Sequence, residues 1–319
     1  MSTEHTNPIH VIFFADRGVL LGLHAALGSL IGHLTGQRPA KISVYYEDFS
    51  AKDILGLQET AKIAHFTGGS KGSVPTLHVE PVFALPHDGL RPHTGSLLPY
   101  CKLFVPILLA KKGRACILDC DILVEDDISV LFDCPLEGKP IGCVIESILS
   151  CSPERNFWTA QGRVGHEVYY NTGVLLFDLE RYWDANLLQI TSEFLTTNKD
   201  ACLLGDQTVF NAVLYPYVKA LETRWNKVVF PRFKFSNTEP LGITHFAFSP
   251  KPFDLGGRLV SPNGRIFTNS LRNWTGLHWW PVSARYSAAR LARAWNIRRR
   301  YIGLLRARFK EWLKTRWFL

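Results

Sequence analysis

Residues 116–124 read Cys-Ile-Leu-Asp-Cys-Asp-Ile-Leu-Val, an apolar run interrupted by two acids one residue apart. Apolar runs of this length with β-branched residues are typical of a buried strand rather than a helix. Because side chains alternate across a strand, Asp119 and Asp121 are predicted to project from one face at or near its end. Two like charges there repel each other and are costly to bury unless a positive group lies between them.

Two interpretations of this acid pair are open. A hard divalent cation such as Mn²⁺ or Mg²⁺, itself holding a diphosphate, satisfies both carboxylates at once. Alternatively, two solvated acids simply end the strand, and a bare Asp-x-Asp recurs often enough by chance to favour that interpretation. The rest of the chain decides between them, according to whether it supplies partners for the metal.

The composition bounds the class of protein. A chain of 319 residues, 46% hydrophobic and 20% charged, suits one large α/β domain with appendages and excludes general disorder. The net charge of +8 is uneven: residues 284–319 hold 11 Arg or Lys and one acid, a net +10, so the other 283 residues sum to −2. The seven cysteines include no C-x-x-C pair, which favours reduced thiols in a cytosolic protein.

Two segments raise the question of membrane targeting. The first ten residues are polar and lack the profile of a signal peptide. Residues 18–34 are apolar but short for a span, and His24, Ser29 and His33 interrupt them. We therefore expect a buried core helix there.

Strands and helices alternate along the first hundred residues. Strands are predicted at 10–16, 41–46 and 75–82, and helices at 20–34 and 50–65. This alternation indicates parallel βαβ units, whose ligands bind beyond the carboxyl ends of the strands. Asp16 and Asp119 both fall at such ends.

The second half of the chain also places polar residues at element ends. Its predicted elements are helices over 99–110, 182–197 and from 205, and strands over 141–146, 169–179 and ending at 246. Asp206, just before a helical run, is a candidate N-cap. His245 lies at a strand end, and Lys251 follows six residues later.

Taken in order, these segments resemble the family-8 retaining glycosyltransferases, especially bacterial enzymes that extend lipopolysaccharide core oligosaccharide with galactose or glucose. The segments that carry the resemblance are HVIFFAD (10–16), YCKLF (100–104), LDCDILV (118–124), YNTGVLLFDLERYW (170–183), GDQTVFN (205–211) and HFAFSPKPF (245–253). The resemblance implies an α/β fold of the GT-A type, with a Rossmann-like, mainly parallel sheet flanked by helices over residues 1–260. It favours the metal-binding interpretation of the acid pair.

The resemblance also implies a cofactor site. Asp119, Asp121 and His245 correspond to the ligands of Mn²⁺ (or Mg²⁺), with Cys120 between the two acids and a UDP-hexose as donor. Four further residues are expected to contact the nucleotide sugar: Lys251 at the diphosphate, Lys102 at phosphate or sugar, and Ala15 with Asp16 at the uridine. Lys102 stands where the family usually carries Arg, which keeps the charge but loses the bidentate fork.

The catalytic residues implied by the family lie on the sugar side. Gln207 is expected near the anomeric carbon; because an amide is a poor nucleophile, we favour front-face attack, with Gln207 stabilising the developing positive charge. Asp206 is expected to bind donor hydroxyls. Asn171 is expected to hold the donor sugar or the acceptor, and Glu146 is a weaker acceptor-side candidate.

One departure from the family concerns the nucleotide edge. After Asp16 the family often has a polar residue and then an aromatic that stacks on uracil, whereas this chain reads Arg17-Gly18-Val19. Val19 can cover a base only by apolar contact.

The C-terminal region, 261–319, has a different character. Apolar residues at helical spacing alternate with a large excess of Arg and Lys, and we predict a basic amphipathic helical tail that lies on an anionic membrane surface. We accordingly expect a cytoplasmic protein, peripheral on the inner face of the cytoplasmic membrane, whose chemistry survives deletion of the segment after Ala284. The alternative is a helix packed on the domain with a solvated basic side. No nucleic-acid partner is expected, because no recognised binding module accompanies the charge.

Two other functions compete with a hexosyltransferase. A haloacid-dehalogenase-type phosphatase also ends an apolar strand with Asp-x-Asp, but on its first strand and with Thr or Val two residues after the second acid, where this chain has Leu123. The other rival is a membrane- or polyanion-binding scaffold whose transferase site has decayed, which the altered nucleotide edge keeps open. The donor hexose, galactose or glucose, and the oligosaccharide or glycolipid acceptor rest on the resemblance alone.

Overall fold

The computed structural model describes residues 8–36, 38–69, 72–93, 95–230, 241–261, 263–277 and 287–317. Two adjacent tryptophans just upstream of the basic tail, Trp279 and Trp280, lie outside these residues.

A seven-stranded sheet forms the centre of the described structure. Its strands, in chain order, are β1 (Ile9–Ala15), β2 (Ala40–Tyr46), β3 (Thr76–Pro81), β4 (Arg114–Leu118), β6 (Ile141–Ile148), β7 (Val168–Asp178) and β8 (Val218–Ala220). Their order across the sheet is β3-β2-β1-β4-β7-β6-β8, and only β7 runs antiparallel to its neighbours. The prediction of a mainly parallel α/β sheet is confirmed.

A second, three-stranded sheet changes the interpretation of the stretch 116–124. It consists of β5 (Ile122–Val124), β9 (Lys227–Val228) and β10 (Ile243–His245), in the order β5-β10-β9. The prediction of one strand through 116–124 was wrong, because β4 ends at Leu118 and the chain leaves the large sheet to pair with β10. The two acids therefore lie in the turn between two sheets, and strand alternation does not explain their common direction.

Helix α1 (Leu20–His33) is the core helix that the sequence predicts. All of its residues except His33 are buried. Its polar positions are satisfied internally: the hydroxyl of Ser29 accepts the amide of Val124 at 3.0 Å, and Nδ1 of His24 lies 2.8 Å from the hydroxyl of Thr60. Within the described residues, no helix is long and apolar enough to cross a membrane.

The other helices of the body agree only in part with the sequence prediction. They are α2 (Ala51–Thr67), α3 (Leu98–Phe104), α4 (Ser129–Phe132), α5 (Arg155–Ala160), α6 (Leu179–Asp184), α7 (Leu187–Asn198), α8 (Asp206–Val209), α9 (Gly257–Val260) and α10 (Gly264–Thr275). The predicted helix 182–197 is broken between α6 and α7, where Asn186 adopts the left-handed region at φ 54°. The predicted helix 99–110 tightens into a 3₁₀ turn at Val105–Leu108, which contains Pro106.

The C-terminal helices α11 (Ser287–Asn296) and α12 (Arg298–Trp317) are packed on the body at several points. Ile297 and Leu304 are 4% and 7% exposed, and the hydroxyl of Tyr301 donates to the carbonyl of Leu255 at 2.5 Å. Apolar side chains are nevertheless exposed along the same helices, namely Leu291, Trp295, Ile302, Leu305 and Phe309. The packed interpretation therefore holds for one face of these helices, and the membrane interpretation stays a prediction for the exposed face.

The body extends past the boundary predicted at residue 260. Phe267 and Leu271 of α10 share one buried cluster with Leu21 and Ala25 of α1. The division at residue 260 into a transferase domain and a membrane-association region stays a prediction. The packed core itself continues through α10.

Candidate active site

The acid pair and the distant histidine meet between the two sheets. Antiparallel pairing of β5 with β10 sets Ile122 opposite His245, and the amide of Phe246 donates to the carbonyl of Asp121 at 2.8 Å. Nε2 of His245 consequently lies 3.2 Å from Oδ1 of Asp121 and 3.8 Å from Oδ2 of Asp119. One ligand atom from each of the three residues falls within 4.8 Å of the other two.

This set of atoms fits a divalent cation. Carboxylates are the ligands that Mn²⁺ and Mg²⁺ prefer, and an imidazole nitrogen is a common addition for transition metals. His245 and Asp121 are buried, whereas the Asp119 side chain is 28% exposed, so the group is closed on the protein side and open toward solvent. Such an opening leaves room for ligands that the protein does not provide.

A buried asparagine orients the histidine, and sequence reasoning missed it. Oδ1 of Asn226 lies 2.8 Å from Nδ1 of His245, and Nδ2 of Asn226 donates to Oδ1 of Asn171 at 2.9 Å. Because Asn226 presents its oxygen to the ring, Nδ1 is the donor and Nε2 of the neutral ring keeps its lone pair for a cation. Asn226 belongs to no recognisable motif, so no sequence signal identified it.

Two lysines lie on opposite sides of the acid pair. Nζ of Lys102 is 2.5 Å from Oδ1 of Asp119 and 3.3 Å from Oδ2 of Asp206, and it also donates to the carbonyl of Thr172 at 3.2 Å. Nζ of Lys251 contacts Oδ2 of Asp121 and donates to the carbonyl of Ala247 at 2.9 Å. Both predicted phosphate-binding lysines are therefore brought to the site.

These pairs dominate the electrostatics of the site. Burial opposes the charge on Lys102, but Asp119 and Asp206 outweigh it, and the pKa of Lys102 is raised. Burial likewise opposes the charge on Asp121, but Lys251 and His245 hold its pKa well below the ordinary value. Burial raises the pKa of Asp206, with Lys102 opposing that rise. The centre is a compact alternation of opposite charges.

A network of amides and one carboxylate lies beside this centre. Nδ2 of Asn171 donates to Oε2 of Glu146 at 2.7 Å, and Nε2 of Gln207 donates to the same oxygen at 3.3 Å. Oε1 of Gln207 accepts the backbone amide of Thr172 at 3.3 Å. The structure thus brings together three of the four residues predicted on the sugar side, Asn171, Gln207 and Glu146, and it makes Glu146 a direct partner of Gln207.

The predicted N-cap role of Asp206 was wrong. Asp206 is the first residue of α8, and Gly205, at φ 62°, occupies the N-cap position. The carboxylate instead turns toward Lys102. The Asp206 side chain is therefore directed into the candidate active site and does not cap the helix.

The nucleotide edge lies at the carboxyl end of β1. Oδ1 of Asp16 accepts the amide of Val19 at 3.1 Å, and burial raises the pKa of Asp16 although Arg293 opposes that rise. Ala15 is fully buried, and its carbonyl accepts the amide of Glu47 at 3.2 Å. Arg17 pairs with Asp53 at 2.9 Å.

Two residues near this edge differ from their predicted use. Val19 packs against the core clusters, so its side chain is committed to the interior rather than to a base. Cys120 is buried, its thiol donates to the carbonyl of Phe14 at 3.1 Å, and burial raises its pKa well above the ordinary value. Its side chain therefore faces β1, and only its backbone is open to a cofactor.

Comparison with known proteins gives a consistent assignment. The model of glycosyl transferase family 8 matches residues 76–253, more than half of the chain. General stress protein A of Bacillus subtilis (strain 168) is 22% identical over 77% of this chain and 87% of its own length. Probable galacturonosyltransferase-like 4 of Arabidopsis thaliana is 22% identical over 79% of this chain and 75% of its own length.

Among solved structures, the galactosyltransferase LgtC in complex with donor and acceptor sugar analogues superposes with a TM-score of 0.65 at 18% identity. The superposition covers 86% of this chain and all of that one. This likeness shows the shared GT-A fold, and the family model adds the sequence evidence. The chain therefore belongs to glycosyl transferase family 8.

Proposed function

We propose that this glycosyltransferase is a metal-dependent, retaining hexosyltransferase. It would transfer galactose or glucose from UDP to a saccharide acceptor of the lipopolysaccharide or lipo-oligosaccharide core type. The observation that carries the proposal is the convergence of Asp119, Asp121 and His245, with Lys102 and Lys251 on either side. The phosphatase alternative is wrong, because the family match covers the acid pair and assigns it to a glycosyltransferase.

The donor diphosphate is assigned to the acid pair and its lysines. Asp119, Asp121 and His245 would hold Mn²⁺ or Mg²⁺, which neutralises charge on a departing diphosphate when bound. Lys251 and Lys102 lie close enough to the same carboxylates to contact phosphate oxygens beside the cation. Fixed positive groups placed where negative charge develops are usually a large term in catalysis.

The sugar is assigned to the opposite side of Lys102. Oδ2 of Asp206 is buried and makes no well-formed hydrogen bond to any described residue, although Nζ of Lys102 is 3.3 Å away. An unsatisfied buried carboxylate oxygen is a favourable acceptor for a donor-sugar hydroxyl. Asn171, held by Glu146, is assigned a second polar contact with the donor sugar.

The transfer step follows from the chemistry of the side chains present. The bond between the anomeric carbon and the phosphate oxygen breaks, and its electron pair leaves with UDP. The acceptor hydroxyl forms the new bond on the same face and gives its proton to a phosphate oxygen of the leaving group. Gln207 presents a neutral amide, held by Thr172 and Glu146, which stabilises the positive charge on the sugar without attacking it.

The acceptor side is assigned to Glu146. Its carboxylate is partly exposed and already accepts two amide donors, from Asn171 and Gln207. Glu146 would therefore accept a hydrogen bond from a hydroxyl group of the acceptor saccharide while it holds Gln207. Ala15 and Asp16 remain the proposed uridine contacts, through the Ala15 backbone and the Asp16 carboxylate.

We further propose that the exposed apolar residues of α11 and α12 contact an anionic membrane surface. Leu291, Trp295 and Leu305 are more than half exposed, and Arg298, Arg299 and Arg300 are exposed beside them. Basic residues near an anionic surface contribute about 1 kcal/mol each. The enzyme would thus act at the inner face of the cytoplasmic membrane, where a glycolipid acceptor is available.

The function is tested by offering a panel of nucleotide sugars with Mn²⁺ and measuring nucleotide release and product anomeric configuration. The panel should contain UDP-galactose, UDP-glucose and UDP-galacturonate, the last because of the plant relatives' names. We expect turnover of a UDP-hexose, loss of turnover with a chelator, and a product that keeps the donor's anomeric configuration. Binding to anionic vesicles without turnover of any donor would instead support the decayed-scaffold alternative.

A further inference from the structure

Arg293, from the C-terminal helix α11, pairs with Asp254, a buried acid close in sequence to Lys251 of the candidate active site. Nε of Arg293 lies 2.6 Å from Oδ1 of Asp254, and the two side chains are 16% and 1% exposed. The neighbouring basic residues on the next helix, such as Arg299, are exposed. Arg293 therefore differs from the other basic side chains that the structure describes on α11 and α12 in being folded into the body.

The Arg293–Asp254 pair is connected to the diphosphate lysine. Oδ2 of Asp254 accepts the backbone amide of Lys251 at 2.6 Å. The side chain of Lys251 in turn contacts Asp121. One buried carboxylate thus fixes both a basic residue of α11 and the backbone of the residue that touches the acid pair.

The aliphatic part of the Arg293 side chain also lies near the nucleotide edge. A Cβ placed on Gly18 would lie 2.9 Å from Oδ1 of Asp16 and 3.9 Å from Cδ of Arg293. The glycine backbone is therefore bordered by both side chains. The part of the nucleotide edge that lacks the family's aromatic residue therefore lies near an arginine of helix α11.

The guanidinium retains hydrogen-bonding capacity. Among the described residues, Asp254 is its only hydrogen-bond acceptor, and the bond uses Nε. Five N–H groups are available on a guanidinium, and its planar fork suits phosphate oxygens. Burial opposes its charge, but Asp254, Asp16 and Asp121 outweigh that effect and raise the pKa of Arg293, which places it among the carboxylates of the cleft.

We propose that Arg293 is a donor-binding residue whose guanidinium contacts the diphosphate of the nucleotide sugar. This inference rests on the proposed function. It adds Arg293, from the C-terminal region, to Lys102 and Lys251 as the third positively charged side chain of the site. The basic tail then has two separate roles, because Arg293 serves the cleft while the exposed residues serve the surface. On this proposal, deletion after Ala284 would also weaken donor binding, because it removes Arg293; the sequence-based expectation was that such a deletion spares the chemistry.

The proposal is tested by titrating UDP into the full-length protein with Mn²⁺ and measuring the affinity by calorimetry. We expect Arg293→Ala to lower the affinity for UDP about tenfold or more, as for loss of a charge-assisted hydrogen bond. Arg299→Ala is the matched control, since Arg299 is exposed and has no side-chain bond to a described residue; it should stay within about twofold. Affinity for uridine, measured by ligand-observed NMR, should change less than about twofold in Arg293→Ala.

A double-mutant cycle separates direct contact from positioning of Lys251. If Arg293 touches the diphosphate, Arg293→Ala still weakens UDP binding in a Lys251→Ala background. An effect that disappears in that background, or an Arg293→Ala protein that binds UDP like the parent, overturns the proposal.

Two controls guard the interpretation. Thermal unfolding without nucleotide checks that the variant folds; if Arg293→Ala does not, Arg293→Lys keeps the charge and should show a smaller loss of UDP affinity, whereas unchanged affinity in that variant overturns the proposal. A parent protein that binds no UDP with Mn²⁺ would instead show that the proposed function itself has failed.

Discussion

The centre of the cleft and the C-terminal helices both concentrate charge, but they do so in opposite environments. At the centre, Asp119 and Asp121 are each held by a lysine in a site that is largely buried. On α11 and α12, the basic residues are mostly exposed beside exposed apolar side chains. Buried pairs are strong and geometrically specific, whereas exposed charges act weakly at long range and are screened by salt. The comparison indicates which charges serve chemistry and which serve attachment.

Arg293 shows that this division does not follow the chain. It belongs to the basic segment by sequence and to the cleft by its ion pair with buried Asp254. Substitutions in the two regions should therefore separate into distinct classes of effect, with Arg293 grouping with the centre.

The largest effect is expected from the acid pair itself. Asp121→Ala removes a proposed metal ligand and leaves Lys251 without its carboxylate, so metal-dependent turnover should fall at least about 10³-fold. Nucleotide release from a UDP-hexose with Mn²⁺ measures this loss. Arg299→Ala, a charge removal in the other region, should leave turnover of a soluble acceptor within about twofold; equal losses in the two variants would contradict the comparison.

A smaller loss is expected from the residue that orients the histidine. Asn226→Ala removes the partner of Nδ1 of His245 and should weaken Mn²⁺ affinity about 10- to 100-fold. Asn198→Ala, on α7 away from the cleft, is the matched control. Unchanged Mn²⁺ affinity in Asn226→Ala would show that the ring orientation does not depend on this bond.

Lowering the pH should reduce the stability of the folded body without weakening the proposed membrane contact of α11 and α12. Burial lowers the pKa of His24 to about 4, so the folded body holds this imidazole neutral. Because its folded pKa lies below the unfolded value, its stabilising contribution is present at pH 7 and is lost as the pH falls through about 6.5 toward 4. At pH 5 the charging of His24 on unfolding lowers the free energy of unfolding by about 2 kcal/mol.

Denaturant unfolding at pH 7 and pH 5 measures that change, and His24→Asn should reduce the difference between the two values. Helices α11 and α12 contain no histidine and one acid, Glu311. Vesicle binding by the folded protein should therefore persist at pH 5. A stability that does not change between the two pH values would contradict the buried neutral histidine.

The smallest effect is expected at the exposed face of α12. Leu305 is 54% exposed, and Leu305→Ser removes apolar surface that we assign to the membrane. Binding to phosphatidylglycerol-containing vesicles should weaken about three- to tenfold, with turnover of a soluble acceptor unchanged. Leu55→Ser, a similarly exposed leucine on α2, is the control that should not affect vesicle sedimentation.

The sequence predicted the parallel sheet because strand and helix periodicities alternate clearly along the first half of the chain. It did not predict that the run 116–124 divides between two sheets. A continuous apolar run has the same local pattern whether it pairs with one sheet or two, and only β10, more than a hundred residues later, determines the break.

The site divides in a similar way. Residues within motifs, such as Asp119, Asp121 and Gln207, could be identified from the family resemblance. Asn226 and Arg293 could not, because each is a single residue whose role depends on a tertiary contact with His245 or Asp254. The same limit applies to Asp206, whose carboxylate faces Lys102 although its position before a helical run favours a cap.

The central claim is that the acid pair and His245 bind one divalent cation together with a nucleotide diphosphate. Titration of Mn²⁺ followed by electron paramagnetic resonance, with and without UDP, tests it most directly. We predict one Mn²⁺ bound per chain, tighter with UDP present, and loss of that binding in both Asp119→Ala and His245→Ala. Mn²⁺ that stays free at saturating UDP, or that binds equally well to those two variants, would contradict the account.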